Sequence, residues 1–478
     1  MTGSQARILV IADDLTGAAE TAALLTLRTT RIPVARAQLL LTLPAEGGLD
    51  WPTGAGEDAA VLVVDLDTRH DPAQTAAAAV RTALGVVASL PPDLIFVKVD
   101  SLLRGSVAAV VAALAHPLTA EDPAISAAAS TEPATAPATV VIAPSLPAMS
   151  RTVRNGILHI DGVPLAQTPA WALETASPPP TVAAALAPHP VLPLSLAAVR
   201  SGRLSEALSD AATEGLAVAC DAETDDDLDA IVHAAVALPS ARLVGSGGLA
   251  AALGRVLTAS ARPAGRKDGT DVRSASPAIA GDTQPQSTAA GDARANAQAY
   301  AALVVVGTAE AVAAEQVRRL VDAGATGVTL SVAGTLSGEA RAADVERIVS
   351  GLRSGPTVVN FDAEEAPVPG AARDLVRRLA DVVDPAVRAS SSSVDLVLTG
   401  GETARRVLDA MGITRLTPVS ELAYGAIASL TPAGRCVVTR PGSFGGPESL
   451  VEIVRALSVR ANAVPLADPS PTRQKVAP

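Results

Sequence analysis

Five places in the chain set polar and charged residues directly after a short apolar run, and each suits a definable chemistry. After the run at 8–12 comes Asp13-Asp14-Leu15-Thr16-Gly17. Two adjacent carboxylates can orient a polyol, hold Mg²⁺ through water or accept a proton from a hydroxyl. Thr16 and Gly17 would open a helix with free backbone N–H groups. A single aspartate would read as a helix cap and nothing more; the adjacent pair asks for more than that. After the run at 94–97 comes Lys98-Val99-Asp100-Ser101-Leu102-Leu103-Arg104-Gly105. Lysine brings a compact charge and arginine a fork that matches carboxylate, so the segment could grip a small acidic molecule. The plainer reading, a structural Lys–Asp pair, contributes only ~0–1 kcal/mol at a surface and does not explain the Lys-x-Asp-Ser-x-x-Arg-Gly spacing. The third place is Ala143-Pro144-Ser145-Leu146-Pro147, followed by Arg151 and by Asn155-Gly156, a hairpin-turn pair that needs no ligand. Asp65, Asp67 and Arg69 form a similar but weaker group, read as structural.

The other two places lie far down the chain: Thr399-Gly400-Gly401-Glu402-Thr403 and Arg440-Pro441-Gly442-Ser443-Phe444-Gly445-Gly446. Each reads as strand, glycine turn, helix, a geometry that offers backbone N–H groups and a helix dipole to a phosphate. Either alone is common turn chemistry; together they favour a nucleotide phosphate site. No G-x-x-x-x-G-K-[ST] loop and no protein-kinase motif set is present, so phosphoryl transfer would need another scaffold. His70, His116, His159, His189 and His233 lack metal-ligand spacing, which argues against a zinc or histidine-based hydrolase. A rival is Gly245-Ser246-Gly247-Gly248-Leu249-Ala250, a degenerate dinucleotide loop without the acidic residue that should end a second strand about 20 residues on.

These residues must be positioned by a long, mostly apolar chain. It has 478 residues, 49% of them hydrophobic and only 1% aromatic, enough for two or three domains without disulfides. Two cysteines are too few for a disulfide framework or a cysteine-based zinc site and point to a reducing cytoplasm. The first apolar run ends in two aspartates, unlike a signal peptide, and no apolar stretch approaches the ~20 residues of a membrane span. A formal charge of −12 excludes general nucleic-acid binding, so any anionic substrate must be held by a few local cations.

Short apolar runs at 8–12, 60–65, 94–99, 139–144 and 216–220 alternate with segments of helical spacing, and continuous hydrophobicity suits parallel strands covered on both faces. The pattern pauses, then resumes at 302–307, 328–332, 357–361, 394–401 and 436–442. The sequence therefore predicts an α/β fold of two domains, each a mostly parallel sheet flanked by helices, with the active site in the cleft between them. Residues 1–257 form the first domain and 299–467 the second. Residues 258–298, rich in Gly, Pro, Ser and Asp, read as a disordered linker, 468–478 as a disordered tail and about 119–138 as a surface loop.

Eight segments, IADDLTGAAETA, VKVDSLLRGS, APSLPAMSRTVRNGILHIDGVPL, CDAETDDDL, VGSGGLAAAL, VVVGTAEAVAAEQVRRL, LVLTGGETARRVLDAMG and VVTRPGSFGGPESL, in this order, resemble the four-carbon acid sugar kinases, which join a sugar-binding N-terminal domain to a nucleotide-binding C-terminal domain. The resemblance implies ATP-dependent phosphorylation of a terminal hydroxyl on threonate, erythronate or an oxo-tetronate. By position it places Asp13, Asp14, Lys98, Asp100, Ser101 and Arg104 in the sugar-acid motifs, and Thr308, Thr399, Gly400, Gly401, Glu402 and Gly442 in the ATP motifs. The chain departs from the family's pattern at Ser150 (usually glycine), Thr308 (usually serine) and Arg440 (usually lysine). Arg440 keeps the charge but reaches differently, so the backbone at Gly442 is the firmer phosphate contact.

On this reading the first domain clamps the sugar acid and the second presents ATP·Mg²⁺, with no residue assigned to the metal directly. Asp14 or Asp100 takes the hydroxyl proton, Lys98 and Arg104 compensate substrate carboxylate or phosphate, and Arg151 joins the substrate site. Sugar acid and ATP are the expected partners, without nucleic acid or membrane, and a homodimer is compatible with the sequence. The alternatives are a non-catalytic sugar-acid-binding protein and an NAD-dependent dehydrogenase.

Overall fold

The computed structural model describes residues 6–463 apart from 27–34, 44–50, 53–58, 88–90, 116–137, 173, 175, 239–240, 261–299, 309–310, 340, 367, 369, 391–392 and 443. Strands form at the unbroken runs of Val, Ile, Leu and Ala. In the N-terminal lobe these are β1 (Ala6–Ala12), β2 (Ala35–Leu40), β3 (Ala59–Asp65), β4 (Leu94–Lys98) and β5 (Thr139–Ala143), then a small antiparallel sheet of β6 (Arg151–Arg154), β7 (Ile157–Ile160) and β8 (Val163–Pro164), then β9 (Val191–Leu194), β10 (Ala217–Cys220) and β11 (Ala241–Gly245). The C-terminal lobe has β12 (Ala302–Val306), β13 (Thr326–Leu330), β14 (Thr357–Phe361), β15 (Asp395–Thr399), β16 (Arg415–Ala423), β17 (Ala426–Leu430) and β18 (Cys436–Arg440).

The N-terminal lobe pairs all its main strands in parallel, in the order β2-β3-β1-β4-β11-β5-β10-β9. Strands β3 and β5 are buried along their whole length, as expected of a sheet covered by helices on both faces. The C-terminal lobe runs β13-β14-β12-β15-β18 in parallel and ends in the antiparallel pair β17 and β16. That hairpin was not apparent in the sequence, because β16 carries Arg, Thr, Pro, Ser and Glu among its apolar residues.

The two sheets are not separate. Edge strand β16 pairs antiparallel with edge strand β2, Arg415 opposite Leu40 and Leu416 opposite Leu39, so that 15 strands form one sheet. An edge strand leaves a row of backbone groups unpaired, and each lobe covers the other's. Asn155 and Gly156 are the predicted turn, both at positive φ between β6 and β7, and their amides donate to the Asp221 carboxylate at 2.7 and 2.8 Å. The helix Gly247–Ser260 runs three residues past the expected domain end at 257, because Leu257 and Thr258 continue its helical pattern; the rest of the expected linker, the expected tail and most of the 119–138 loop lie outside the described residues. No described helix is long and apolar enough to cross a membrane.

The lobes also meet through the helix Gly401–Ala410, whose Arg405 donates to the fully buried Asp65 at the end of β3, at 3.0 Å. Burial pushes the Asp65 carboxyl up to about 7 against the pull of Arg405. The folded protein then keeps a proton on Asp65 that the unfolded chain has lost, so this group's contribution to stability falls as pH rises from about 4 to about 7. In Asp65→Asn that slope should be absent: urea unfolding at pH 5 and pH 7.5 should show a smaller drop in stability than in the unaltered protein, and an equal drop would contradict the assignment.

Candidate functional site

In the N-terminal lobe β3, β1 and β4 lie side by side, with Ala12 in register with both Asp65 and Lys98, so the residues beyond each strand converge on one mouth. The chain leaves β1 toward β2 and leaves β4 toward β5, on opposite sides, which opens a crevice between β1 and β4. Asp13 and Asp14 stand there, bridged by Arg69: its Nε and Nη2 donate to Asp13 at 3.0 and 2.7 Å, and Nη2 also to Asp14 at 2.7 Å. Asp14 further accepts from the Thr16 hydroxyl at 2.6 Å and from the Gly17 amide at 3.0 Å, at the start of the helix Leu15–Thr26. A side chain at Gly17 would put Cβ 2.7 Å from Asp14 Oδ1 and 2.8 Å from Lys98 Nζ, so glycine is what lets lysine and aspartate approach over the helix end.

The two carboxyls are not equivalent. Burial dominates at Asp13 and pushes its carboxyl up despite Arg69. At Asp14 burial is outweighed by Arg69, Lys98, Thr16 and the Gly17 amide, which hold the carboxyl below its ordinary value. Asp100, also buried, is held well below the carboxylate range by Arg104, Arg69 and Lys98. It accepts Arg104 Nε and Nη2, each at 2.8 Å, and the amides of Leu102 and Arg104 at 3.1 and 3.3 Å. Those bonds pin a tight turn in which Leu103 takes a φ of 64°, a conformation costly for a leucine. Lys98 is buried and donates to the Val99 carbonyl at 3.2 Å. Arg151 donates to the Ser101 hydroxyl, which ties the third motif to the second. Ser150 has a φ of 51° and closes the turn Pro147–Met149, a conformation that glycine adopts freely and serine at some steric cost.

In the C-terminal lobe β12, β15 and β18 are neighbours, with Val306 opposite Thr399 and Thr399 opposite Arg440. Their turns therefore cluster: a Cβ on Gly442 would lie 3.4 Å from the Thr308 side chain, and one on Gly307 would strike the Thr403 hydroxyl. Gly400 has a φ of 95°, and its amide donates to the Arg440 carbonyl at 2.9 Å. Gly401 begins the next helix with Glu402 in its first turn. Arg440 is 1% exposed and lies beneath the glycine loop, donating to the Phe444 carbonyl, while Gln316 donates to Gly445 and Gly446 at 3.1 and 3.0 Å. Arg440 shapes the loop from below, and Gly442 is the part set beside Thr308.

The two sets share one gap. A Cβ on Gly401 would lie 2.7 Å from Asp14 Oδ2 and 3.3 Å from the Thr16 hydroxyl, so the glycine turn of one lobe stands directly over the carboxylate of the other. A cavity lined from both lobes, by Glu20, Leu146, Gly247 and Arg255 on one side and Glu421 and Tyr424 on the other, has none of the expected site residues in its walls. Burial pushes the Glu20 carboxyl up, and its Oε1 lies where a Cβ on Gly247 would come within 2.7 Å. An acidic group thus occupies the helix end that the rival dinucleotide loop would need for a pyrophosphate.

All the expected sugar-acid residues fall at the first mouth and all the expected nucleotide residues at the second. Reading Asp65, Asp67 and Arg69 as one structural group was incomplete: Arg69 belongs to the Asp13–Asp14 pair, whereas Asp65 and Asp67 face arginines of the other lobe. The signal for Arg69 was its place just past a strand end; the signal for Glu20, one helical turn beyond Thr16, was weak.

A family model of a sugar-binding N-terminal domain matches residues 8–253, and one of a nucleotide-binding C-terminal domain matches residues 303–450. The chain is 30% identical over 469 residues to the D-threonate kinase of Cupriavidus necator, covering 94% of this chain and 98% of that protein. It is 29% identical over 462 residues to the D-threonate kinase of Bordetella bronchiseptica, covering 94% and 97%. A solved structure from Salmonella typhimurium LT2 has the same fold, with a TM-score of 0.66 at 21% identity, covering 94% of this chain and 99% of that one. With both domain models matched in order around one shared gap, the chain belongs to the four-carbon acid sugar kinase family.

Proposed function

We propose that the protein transfers the γ-phosphoryl group of ATP to the terminal hydroxyl of a four-carbon sugar acid of the threonate type. The observation that carries this reading is the approach of Gly401 to Asp14, which sets helix-end amides suited to phosphate over a carboxylate suited to a hydroxyl. The kinase relatives supply the reaction class, and the name they share, D-threonate kinase, favours a threonate among the four-carbon acids.

The hydroxyl oxygen forms a bond to the γ-phosphorus as the bond to the β–γ bridging oxygen breaks, ADP leaves, and the hydroxyl proton passes to a carboxylate. Asp14 fits that last role better than Asp100. Its Oδ2 faces the other lobe and accepts the rotatable Thr16 hydroxyl at 2.6 Å, whereas both oxygens of Asp100 are held by Arg104 and its Oδ2 by two backbone amides as well. Asp100 therefore serves to aim Arg104, whose side chain is 34% exposed and whose Nη1, not engaged by Asp100, can meet the substrate carboxylate. Lys98 lies close to Asp14 and supplies positive charge where the phosphoryl group passes. Thr308, Thr399 to Glu402 and Gly442 take the nucleotide phosphates.

Among the described residues no group of three or more His, Cys, Asp or Glu side chains clusters as a metal cage. Mg²⁺ bound with substrate phosphates keeps several waters and needs only one or two protein carboxylates, so it does not require such a cage. When bound, the ion would neutralise phosphate charge.

The reading is tested by incubating the protein with ATP, Mg²⁺ and a panel of threonate, erythronate and oxo-tetronate stereoisomers while ADP release and nicotinamide absorbance are followed. ADP release with at least one acid and no nicotinamide change is expected; ligand binding without ADP release would sink it. Asp14→Asn should lower kcat by about 10²- to 10⁴-fold, the range for loss of a general base, and an unchanged kcat would remove Asp14 from that role. Arg104→Ala should weaken the acid's apparent affinity by about 2–5 kcal/mol, as for one partner of a buried charge pair, with KM for ATP nearly constant; equal losses for both substrates would argue that Arg104 only stabilises the fold.

A further inference from the structure

The helix that begins at Gly401 reaches the sugar-acid lobe a second time, one turn further on. Arg405 donates to Asp65 Oδ2 at 3.0 Å, and Arg406 donates to Asp67. Both guanidiniums are braced from their own helix by Asp409, at 2.9 and 3.2 Å, so they are held ready before the lobes meet. Asp65 and Asp67 in turn belong to the segment that carries Arg69. The amides of Thr68 and Arg69 both donate to the Asp13 carbonyl at 3.1 Å, and that of Leu66 donates to Ala12 at 2.9 Å. Asp67 takes a φ of 53°, a conformation aspartate tolerates better than most residues, which turns the segment back toward Asp13. The single segment 65–69 thus touches the glycine-turn helix at one end and the Asp13–Asp14 pair at the other.

We propose that Arg405 and Arg406 are positioning residues for phosphoryl transfer: clasped to Asp65 and Asp67, they fix the glycine turn of one lobe over Asp14 of the other. The proposal rests on the kinase reading above. In-line transfer depends on the placement of the reacting groups, and a shift of about 1 Å from a distant substitution can cost on the order of 10²-fold in rate. The edge pairing of β16 with β2 spans two residues on each side, and the clasp is a separate contact between the lobes. Neither arginine donates to Asp13, Asp14, Asp100 or Ser101, although Arg406 Nε lies 3.8 Å from Glu402 of the expected nucleotide set.

The test compares Arg405→Ala, Arg406→Ala and Arg406→Lys with the unaltered protein under saturating ATP and acid. kcat should fall about tenfold or more in both alanine variants, with each KM within about twofold, and Arg406→Lys, which keeps the charge but not the fork, should fall between. The exchange Asp67→Arg with Arg406→Asp should recover part of the lost kcat. Retained kcat, or a rise in KM alone, would overturn the proposal. A second readout needs no ligand: spin labels at Glu206→Cys and Glu346→Cys, both exposed and on opposite lobes, report the interlobe distance, and the native Cys220 and Cys436 are buried away from the label. The distance distribution should broaden when the clasp is removed, and an unchanged distribution overturns the proposal. If the unaltered protein turns over no acid at all, the kinase reading fails, and the label distances still decide the clasp.

Discussion

Two adjacent carboxylates buried at the end of a parallel strand repel each other and lose water, so they persist only where a cation bridges them. Arg69 is that cation. By holding Asp13 with two nitrogens and Asp14 with one, it lets burial raise the first carboxyl while its neighbours lower the second. One aspartate is thereby kept as an anion facing the opposite lobe, and the other stays largely a scaffold. Lys98, the Gly17 amide and the Thr16 hydroxyl complete the same arrangement, and each comes from a strand or helix end that the sheet order brings to this mouth.

That asymmetry matters because the second lobe meets Asp14 with the backbone of Gly401, with Glu402 next in the same helix turn. It offers a glycine turn, a helix end and backbone groups. Such groups suit phosphate without competing for a proton, whereas the first lobe has the charges that the proposed reaction assigns to an acidic substrate and to a proton. A cavity with walls from both lobes, but with none of these groups in its lining, has Glu20, its carboxyl pushed up by burial, against Gly247. The sheets join edge to edge through β2 and β16, and the helix Leu15–Thr26 packs against the helix Gly401–Ala410.

Much of the scheme was legible in the residue order. The apolar runs marked nearly all the long parallel strands, and the polar residues after them marked both mouths, because a parallel sheet gathers the loops beyond its strand ends at one edge. Asn155-Gly156 read correctly as a turn. The hairpin β16–β17 did not show, since an edge strand tolerates polar residues that hide its pattern. Arg69 was visible as a charge near a strand end but not as a bridge, since its partners lie 55 and 56 residues away in the chain. Arg440 reads as a weaker phosphate contact than the Gly442 backbone, and its burial and its donation to the Phe444 carbonyl, which no local pattern shows, put it against the loop.

The sequence by itself determined which residues could do chemistry and that they fall into an acid-gripping set and a phosphate-cradling set, because residue type and local spacing fix charge, hydrogen-bonding capacity and the geometry of a strand–turn–helix. Only the tertiary structure decided that Gly401 stands over Asp14, that Asp65 and Asp67 reach across to Arg405 and Arg406, and that one sheet runs through both lobes. The two arginine clasps join residues 340 and 339 positions apart. No local pattern encodes them, since they arise from packing two independently patterned lobes against each other.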